Sequence, residues 1–418
     1  MKGGSPTGES STSPAPPSSP SDPPPLSTPS PTPPPSPSPA PAPAPLVPPP
    51  PSPSLPTGPP CRTTITAEDG KSVNGCPDEV LWQAVFDGEL ELAKAAIKAG
   101  AEVEARGSGY TPLMVASFKG HADIASELLM NSADPNAIGT FDGSTALFFG
   151  TARNDIEMIN LLLGGGADPN YQDVDGFTAI SIAVRFEFPV AARTLVEGGA
   201  DAGHVSTNGT TPLMEAAALG NTRLVDVIIQ AGADVDVGSD NGTSALSLAS
   251  GNGHASVVRQ LLQSGATING KSLSALTPLI SASFGSHTSV VRLLLNEGAD
   301  PNRTDVFGQT ALHYSTLSLV VGSQLIATAL LDTGVDVNVQ DDAGLTPLMW
   351  TAWHGNIDTM KVLLDRGANP GILSLAGKNA SELICQCLKT VGLPSFIQCT
   401  PSGCSESGTI SAIEEILG

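Results

Sequence analysis

Thr111-Pro112-Leu113 opens the motif that decides how this chain folds, because it returns at a near-constant interval. The later copies are Thr145-Ala146-Leu147, Thr178-Ala179-Ile180, Thr211-Pro212-Leu213, Ser244-Ala245-Leu246, Thr277-Pro278-Leu279, Thr310-Ala311-Leu312 and Thr346-Pro347-Leu348, with a degenerate Asn379-Ala380-Ser381. The steps between them are 34, 33, 33, 33, 33, 33, 36 and 33 residues. One step of 33 back from Thr111 reaches Asp78, just before the apolar-periodic Val80-Leu81-Trp82-Gln83-Ala84. Ten units result: 78–110, 111–144, 145–177, 178–210, 211–243, 244–276, 277–309, 310–345, 346–378 and 379–404. Self-similarity at this period marks a repeat architecture, in which each unit buries its apolar face only against its neighbours.

Each part of the unit has a physical task. Thr or Ser is a helix N-cap, and Pro suits the first helical position, where the missing N–H costs nothing. Small residues such as Ala216-Ala217-Ala218 let the first helix pack closely, and Gly120, Gly220 or Gly355 turns the chain into a second helix. Leucine runs such as Leu161-Leu162-Leu163 and Leu293-Leu294-Leu295 give that helix its buried face. The glycine of Gly166-Ala167-Asp168, Gly232-Ala233-Asp234 or Gly298-Ala299-Asp300 then ends it in a left-handed conformation. Asp142-Gly143, Asp175-Gly176 and Asn241-Gly242 are tight-turn pairs, placing a β-hairpin finger before the next Thr.

This unit resembles the ankyrin repeat, whose period and Thr-Pro-Leu-His pattern it shares over about residues 78–404. The resemblance implies an all-α solenoid of helix pairs with projecting hairpins and a concave face that binds other proteins. The sequence departs from the pattern in two ways. His occupies the fourth motif position only at His313, with Met114, Met214, Ile280 and Met349 elsewhere. The 36-residue unit carries three extra residues near Leu319-Val320-Val321, where the first helix is expected to lengthen or bulge.

Outside the array the composition changes abruptly. Of 38 prolines, 26 lie in residues 1–60, a stretch with only Lys2, Glu9 and Asp22 charged and no aromatic residue. Such a segment cannot bury enough apolar surface to order itself, so a disordered Pro/Ser-rich tail is expected. Its Pro48-Pro49-Pro50-Pro51 run offers a site for polyproline-reading domains, although no Lys or Arg flanks it to set an orientation. Residues 61–77 read as a linker and 405–418 as a short helix over the last repeat, on the spacing of Ile410, Ile413, Ile416 and Leu417.

A net charge of −22 with no Lys/Arg run excludes nucleic acid and anionic lipid as partners. Residues 306–331 lack Asp, Glu and Lys/Arg, yet Gln309, His313 and Gln324 would face lipid there, so no membrane span is expected. Cys385-x-Cys387 and Cys399-x4-Cys404 do not have zinc-finger spacing, and reduced cysteines are the reading for Cys61, Cys76 and these four. Gly265 to Ser272 matches the phosphate-loop pattern G-x4-G-K-S, but the repeat frame puts a helix before it and a finger after it, the reverse of what phosphate binding requires. The six histidines are scattered, and no nucleophile–base arrangement is present, so neither catalysis nor a cofactor or metal is expected.

The positive signal is where the scarce aromatics fall. Tyr110, Phe141, Phe177 and Phe307 lie on fingers, while Phe118, Phe284 and Trp353 share one late first-helix position, seven residues after the motif Thr. Trp350 is one helical turn before Trp353, and Arg153, Arg185 and His354 lie among them. Exposed aromatic and Arg side chains are the usual anchors of interfaces. The expectation is therefore a cytoplasmic, or else nuclear, non-enzymatic scaffold whose concave face binds proteins with basic surfaces. The alternative is an adaptor that recruits a ubiquitin ligase or kinase through its terminal segments.

Overall fold

The computed structural model describes residues 63–383, apart from 271, 273 and 318–321, together with 415–417. Nine helix pairs follow one another among these residues. They begin with α1 (Pro77–Asp87) and α2 (Leu90–Lys98), then α3 (Pro112–Lys119) and α4 (Ala122–Met130), and α5 (Ala146–Ala152) and α6 (Ile156–Gly164). The middle of the array is α7 (Ala179–Arg185) and α8 (Pro189–Glu197), α9 (Pro212–Leu219) and α10 (Thr222–Gln230), and α11 (Ala245–Gly251) and α12 (Ala255–Gln263). It ends with α13 (Pro278–Phe284) and α14 (Thr288–Asn296), α15 (Ala311–Ser315) and α16 (Ser323–Leu331), and α17 (Pro347–His354) and α18 (Ile357–Asp365), before a 3-10 turn at Ser381–Leu383. First helices pack on first helices and second on second, and one apolar core runs through all the pairs from Ile65 to Leu383.

The local rules of the repeat are visible at each junction. Thr111, Thr211, Thr277 and Thr346 are extended N-caps whose hydroxyls accept from the backbone N–H three residues on. Gly120, Gly220 and Gly355 end first helices at φ 81°, 75° and 77°, which a side chain adopts only with strain. Gly265 has φ 92° and follows α12, and no helix begins until Pro278, so the phosphate-loop match is a coincidence of letters.

A second set of bonds joins consecutive fingers. The Asn136 side chain accepts from the Asp168 N–H at 2.7 Å and donates to the Gly166 carbonyl at 3.0 Å. Asn170 repeats this toward Asp201 and Gly199, Asp236 accepts from Thr267, Asn269 from Asp300, and Asn338 from the Asn369 N–H. The ladder skips two steps: at one Gly203, which has no side chain, takes the place of the asparagine, and at the other Asn302 makes no such bond among the described residues.

Three expectations are corrected. The stretch read as a linker contains an antiparallel hairpin, β1 (Thr63–Thr66) and β2 (Ser72–Gly75), which lays Ile65 and half-buried Val73 on the first repeat and covers its open end. Of the two outcomes expected of the inserted unit, a longer first helix is not found, and a bulge near 319–321 falls outside the described residues. α15 stops at Ser315, where the Ser315 and Thr316 hydroxyls bond back to the Leu312 and His313 carbonyls at 2.7 Å and compete with helix propagation. Cys76, at the N-cap of α1, is disulfide-bonded rather than reduced. The other five cysteines, Cys61, Cys385, Cys387, Cys399 and Cys404, lie outside the described residues, as do the proline tail and most of 405–418. Ile416 and Leu417 are described in a helical turn and pack against the core.

Candidate functional site

The face of the first helices is built from two positions one turn apart. Four residues after the motif Thr the side chain is buried in seven of eight repeats: Val115, Phe149, Ile182, Glu215, Ser281, Tyr314 and Trp350, with Leu248 half-buried. Seven residues after it Phe118, Ala152, Ala218, Gly251, Phe284, Leu317 and Trp353 are half-buried, while the Arg185 side chain is 9% exposed. Side chains three apart on a helix stack one above the other, so the inner position supports the outer one.

Three groups of predicted residues are brought together, two across neighbouring units and one, at Trp350 and Trp353, by stacking one turn apart on a single helix. Tyr110 and Phe118 both set their rings edge-on against Phe149, at centroid distances of 5.7 and 5.9 Å. Phe177 lies under the Arg185 guanidinium at 4.1 Å, and that guanidinium reaches Glu215 of the next repeat at 3.0 Å. Trp350 stacks with Trp353 at 6.0 Å and with His354 at 5.5 Å, while the His354 Nδ1 lies 2.8 Å from the Trp350 carbonyl. Phe284 meets Tyr314 edge-on at 6.0 Å.

Other residues stand apart or are placed differently from the expectation of exposure. Tyr110 and Trp350 are only 3% and 6% exposed, because their rings fill the core between repeats instead of facing solvent. Phe307 is half-buried on its finger, with its carbonyl accepting from the Asp342 N–H. Arg153 is exposed and lies across Gly120, where an added Cβ would meet the guanidinium at 2.9 Å. Phe141 is fully presented to solvent, at 77%.

Electrostatically this face is held by buried carboxylates that the sequence reading missed. Asp305 takes the Tyr314 hydroxyl on Oδ2 at 2.8 Å and the Phe307 and Gln309 N–H groups on Oδ1. Asp341 does the same for the Trp350 indole N–H, at 3.0 Å, and for Ala343 and Leu345. Burial raises both carboxyls above their ordinary range even though these donors pull the other way. The signal was present as Asp and an aromatic nine residues apart, bracketing the motif Thr. Glu215 is 6% exposed, and burial raises its pKa against the pull of Arg185. Its second oxygen has no partner among the described residues. His313 is 1% exposed, with Nδ1 toward Thr310 and Nε2 3.2 Å from the Leu345 carbonyl. Burial drives its pKa down to about 4, so the ring is neutral at physiological pH. Burial also lowers His287, which neighbours His254, and lowers His354.

No group of three His, Cys, Asp or Glu side chains suited to a metal ion occurs among the described residues. Among them, too, no helix is long and apolar enough to cross a membrane.

A stack of capped helix pairs with fingers tied edge to edge defines a repeat solenoid. The family model for ankyrin repeats (three copies) matches overlapping windows from residues 63–139 through 279–374, so the chain belongs to the ankyrin-repeat family. It is 37% identical over 121 residues to an ankyrin repeat-containing protein of Treponema pallidum (strain Nichols), covering 28% of this chain and 40% of that one. It is 36% identical over 64 residues to human ankyrin repeat family A protein 2, covering 15% of this chain and 20% of the relative. The chain thus spans less than half the length of either relative. Among solved structures it is similar to the ankyrin repeat domain of Bcl-3, a member of the IkappaB protein family, with 29% identity and a TM-score of 0.48 over 52% of this chain and 97% of that one. Ankyrin repeats are protein-interaction scaffolds and as a family are generally not enzymes.

Proposed function

We propose that this chain is a non-enzymatic scaffold that holds another protein against the face of its first helices, with Phe118, Arg185, Phe284, Trp353 and His354 as anchors. The observation that carries this reading is the outer position itself. In a position otherwise filled by Ala, Gly, Leu and one Arg, three repeats place large aromatic rings, each resting on a buried aromatic ring that fixes it. A side chain already held in place loses little entropy on binding, which is what makes aromatic anchors effective. Tyr110 and Trp350 enter this reading as supports of the anchors, while Phe141, Arg153, Phe177 and Phe307 lie on or beside the fingers.

The test is to identify proteins retained by the full chain and titrate each, purified, against wild type and the combined Phe118→Ala, Phe284→Ala, Trp353→Ala variant. A loss of about tenfold or more supports the reading. Undiminished affinity in a variant that still melts cooperatively would sink it. The adaptor alternative depends on residues 1–60 and 385–418, and deleting either end while following recruited ligase or kinase activity tests it. A cytoplasmic or nuclear setting belongs to the same reading. Differential alkylation of Cys76 in cells, which reports whether its surroundings are reducing, tests that setting.

A further inference from the structure

We propose that the finger tips ahead of Thr145 and Thr178 form a second docking edge, separate from the helix face, for a protein segment in which Lys or Arg flanks apolar side chains. The tip residue lies four positions before the motif Thr, and along four consecutive fingers it is Phe141, Val174, Thr207 and Asp240. Phe141 and Val174 are 77% and 69% exposed. A turn tip gains nothing from an apolar side chain in water, and two adjacent ones make a patch rather than scattered exposure.

Both side chains are held in position. A Cβ on Gly109 would lie 2.7 Å from the Phe141 ring, and one on Gly143 would lie 3.4 Å from Val174 Cγ1, so each tip rests on the glycine of a neighbouring finger. Backbone bonds continue the edge, from Thr140 N–H to Gly109 O at 3.1 Å and from Val174 N–H to Asp142 O at 3.3 Å. The Thr207 hydroxyl extends it by donating to Asp175 O at 2.7 Å.

Charge selects the occupant. The fingers 133–144, 166–177, 199–210 and 232–243 carry nine aspartates and no Lys or Arg. None of these aspartates is in an ion pair among the described residues. A strip of this sign repels nucleic acid and anionic lipid, and attracts a cationic polypeptide whose apolar side chains cover Phe141 and Val174. This edge rests on the scaffold reading only in requiring that the chain bind proteins.

The experiment titrates the full chain with short fluorescent peptides of alternating sequence: lysine with phenylalanine, lysine with serine, and glutamate with phenylalanine. Saturable binding of the first is expected, about tenfold weaker binding of the other two, and a further fall at high salt. Phe141→Ser with Val174→Ser should weaken the lysine–phenylalanine peptide about tenfold, and Asp175→Asn with Asp240→Asn severalfold. All four side chains are exposed, so unchanged melting confirms that the variants fold. Hydrogen exchange should slow in residues 133–177 on binding. Three outcomes overturn the proposal: no saturable binding, equal binding of the lysine–serine peptide, or indifference to Phe141→Ser with Val174→Ser. Loss only in the Phe118, Phe284 and Trp353 variant also overturns it, while leaving the scaffold reading intact.

Discussion

Lowering the pH should loosen the repeat around His313 through that one imidazole, and replacing it with methionine should remove the effect. Burial takes the ring from an ordinary 6.5 to about 4 in the folded chain. A depressed histidine pKa means that the fold accepts the neutral ring and resists the charged one. The contribution is therefore intact above about pH 6.5 and is lost as the pH falls toward about 4. The gap of about 2.5 units corresponds to roughly 3 kcal/mol when complete, and to roughly 2 kcal/mol at about pH 5. Asp305 and Asp341, raised by burial, move the opposite way by gaining stability as they protonate, but they are common to wild type and variant. Methionine is a fair substitute because Met114 and Met349 already occupy this position, and the Met114 sulfur accepts from the Thr111 N–H at 3.4 Å. Hydrogen exchange of residues 311–315, corrected for intrinsic rates, gives the opening free energy of the repeat at each pH. Wild type should lose roughly 2 kcal/mol more than His313→Met between about pH 7 and pH 5. Equal slopes in the two proteins, or an NMR titration of His313 near its ordinary value, would refute the reasoning.

Arg185→Ala leaves Glu215 buried without its cation and should cost about 3–5 kcal/mol, read as a lower melting temperature, whereas Arg185→Leu with Glu215→Leu should recover most of it. Trp350→Phe removes the donor to Asp341 Oδ2 and should destabilise by about 1–3 kcal/mol, with Asp341→Asn non-additive in a double-mutant cycle. Gly220→Ala forces a side chain to φ 75° and puts its Cβ 2.4 Å from the His254 ring, so denaturant melts should show a loss of more than about 1 kcal/mol. Thr346→Ala removes the cap to the Met349 N–H and should cost about 1 kcal/mol by the same measurement.

Much of the repeat was legible because its determinants are local. Thr caps, Pro at the first helical position and Gly in the left-handed region each act over a few residues, so spacing alone placed the helix starts and turns. The terminal hairpin was missed although Asp69-Gly70 between Thr63–Thr66 and Ser72–Gly75 is a turn signal, since its strands bury little beyond Ile65. The candidate site was harder, because its contacts cross repeats. Nothing near Arg185 in sequence announces Glu215, 30 residues on. Tyr110 and Trp350 read as surface anchors because burial on the first-helix side depends on the neighbouring unit, which a single-repeat pattern does not contain.

The ladder of asparagine and aspartate bonds between fingers has a mechanical consequence. Where Gly203 stands there is no side chain to tie one finger to the next, so the polar contacts across that junction lie on the helix side instead, from Arg185 to Glu215 and from the Asn221 side-chain N–H to Glu187, each at 3.0 Å. In a stack whose cohesion is a sum of nearest-neighbour terms, tension applied along the array opens the weakest junction first. Here the fingers near residues 201–234 would separate before the helices that Arg185 and Glu215 join, so the stack would hinge open from its finger edge.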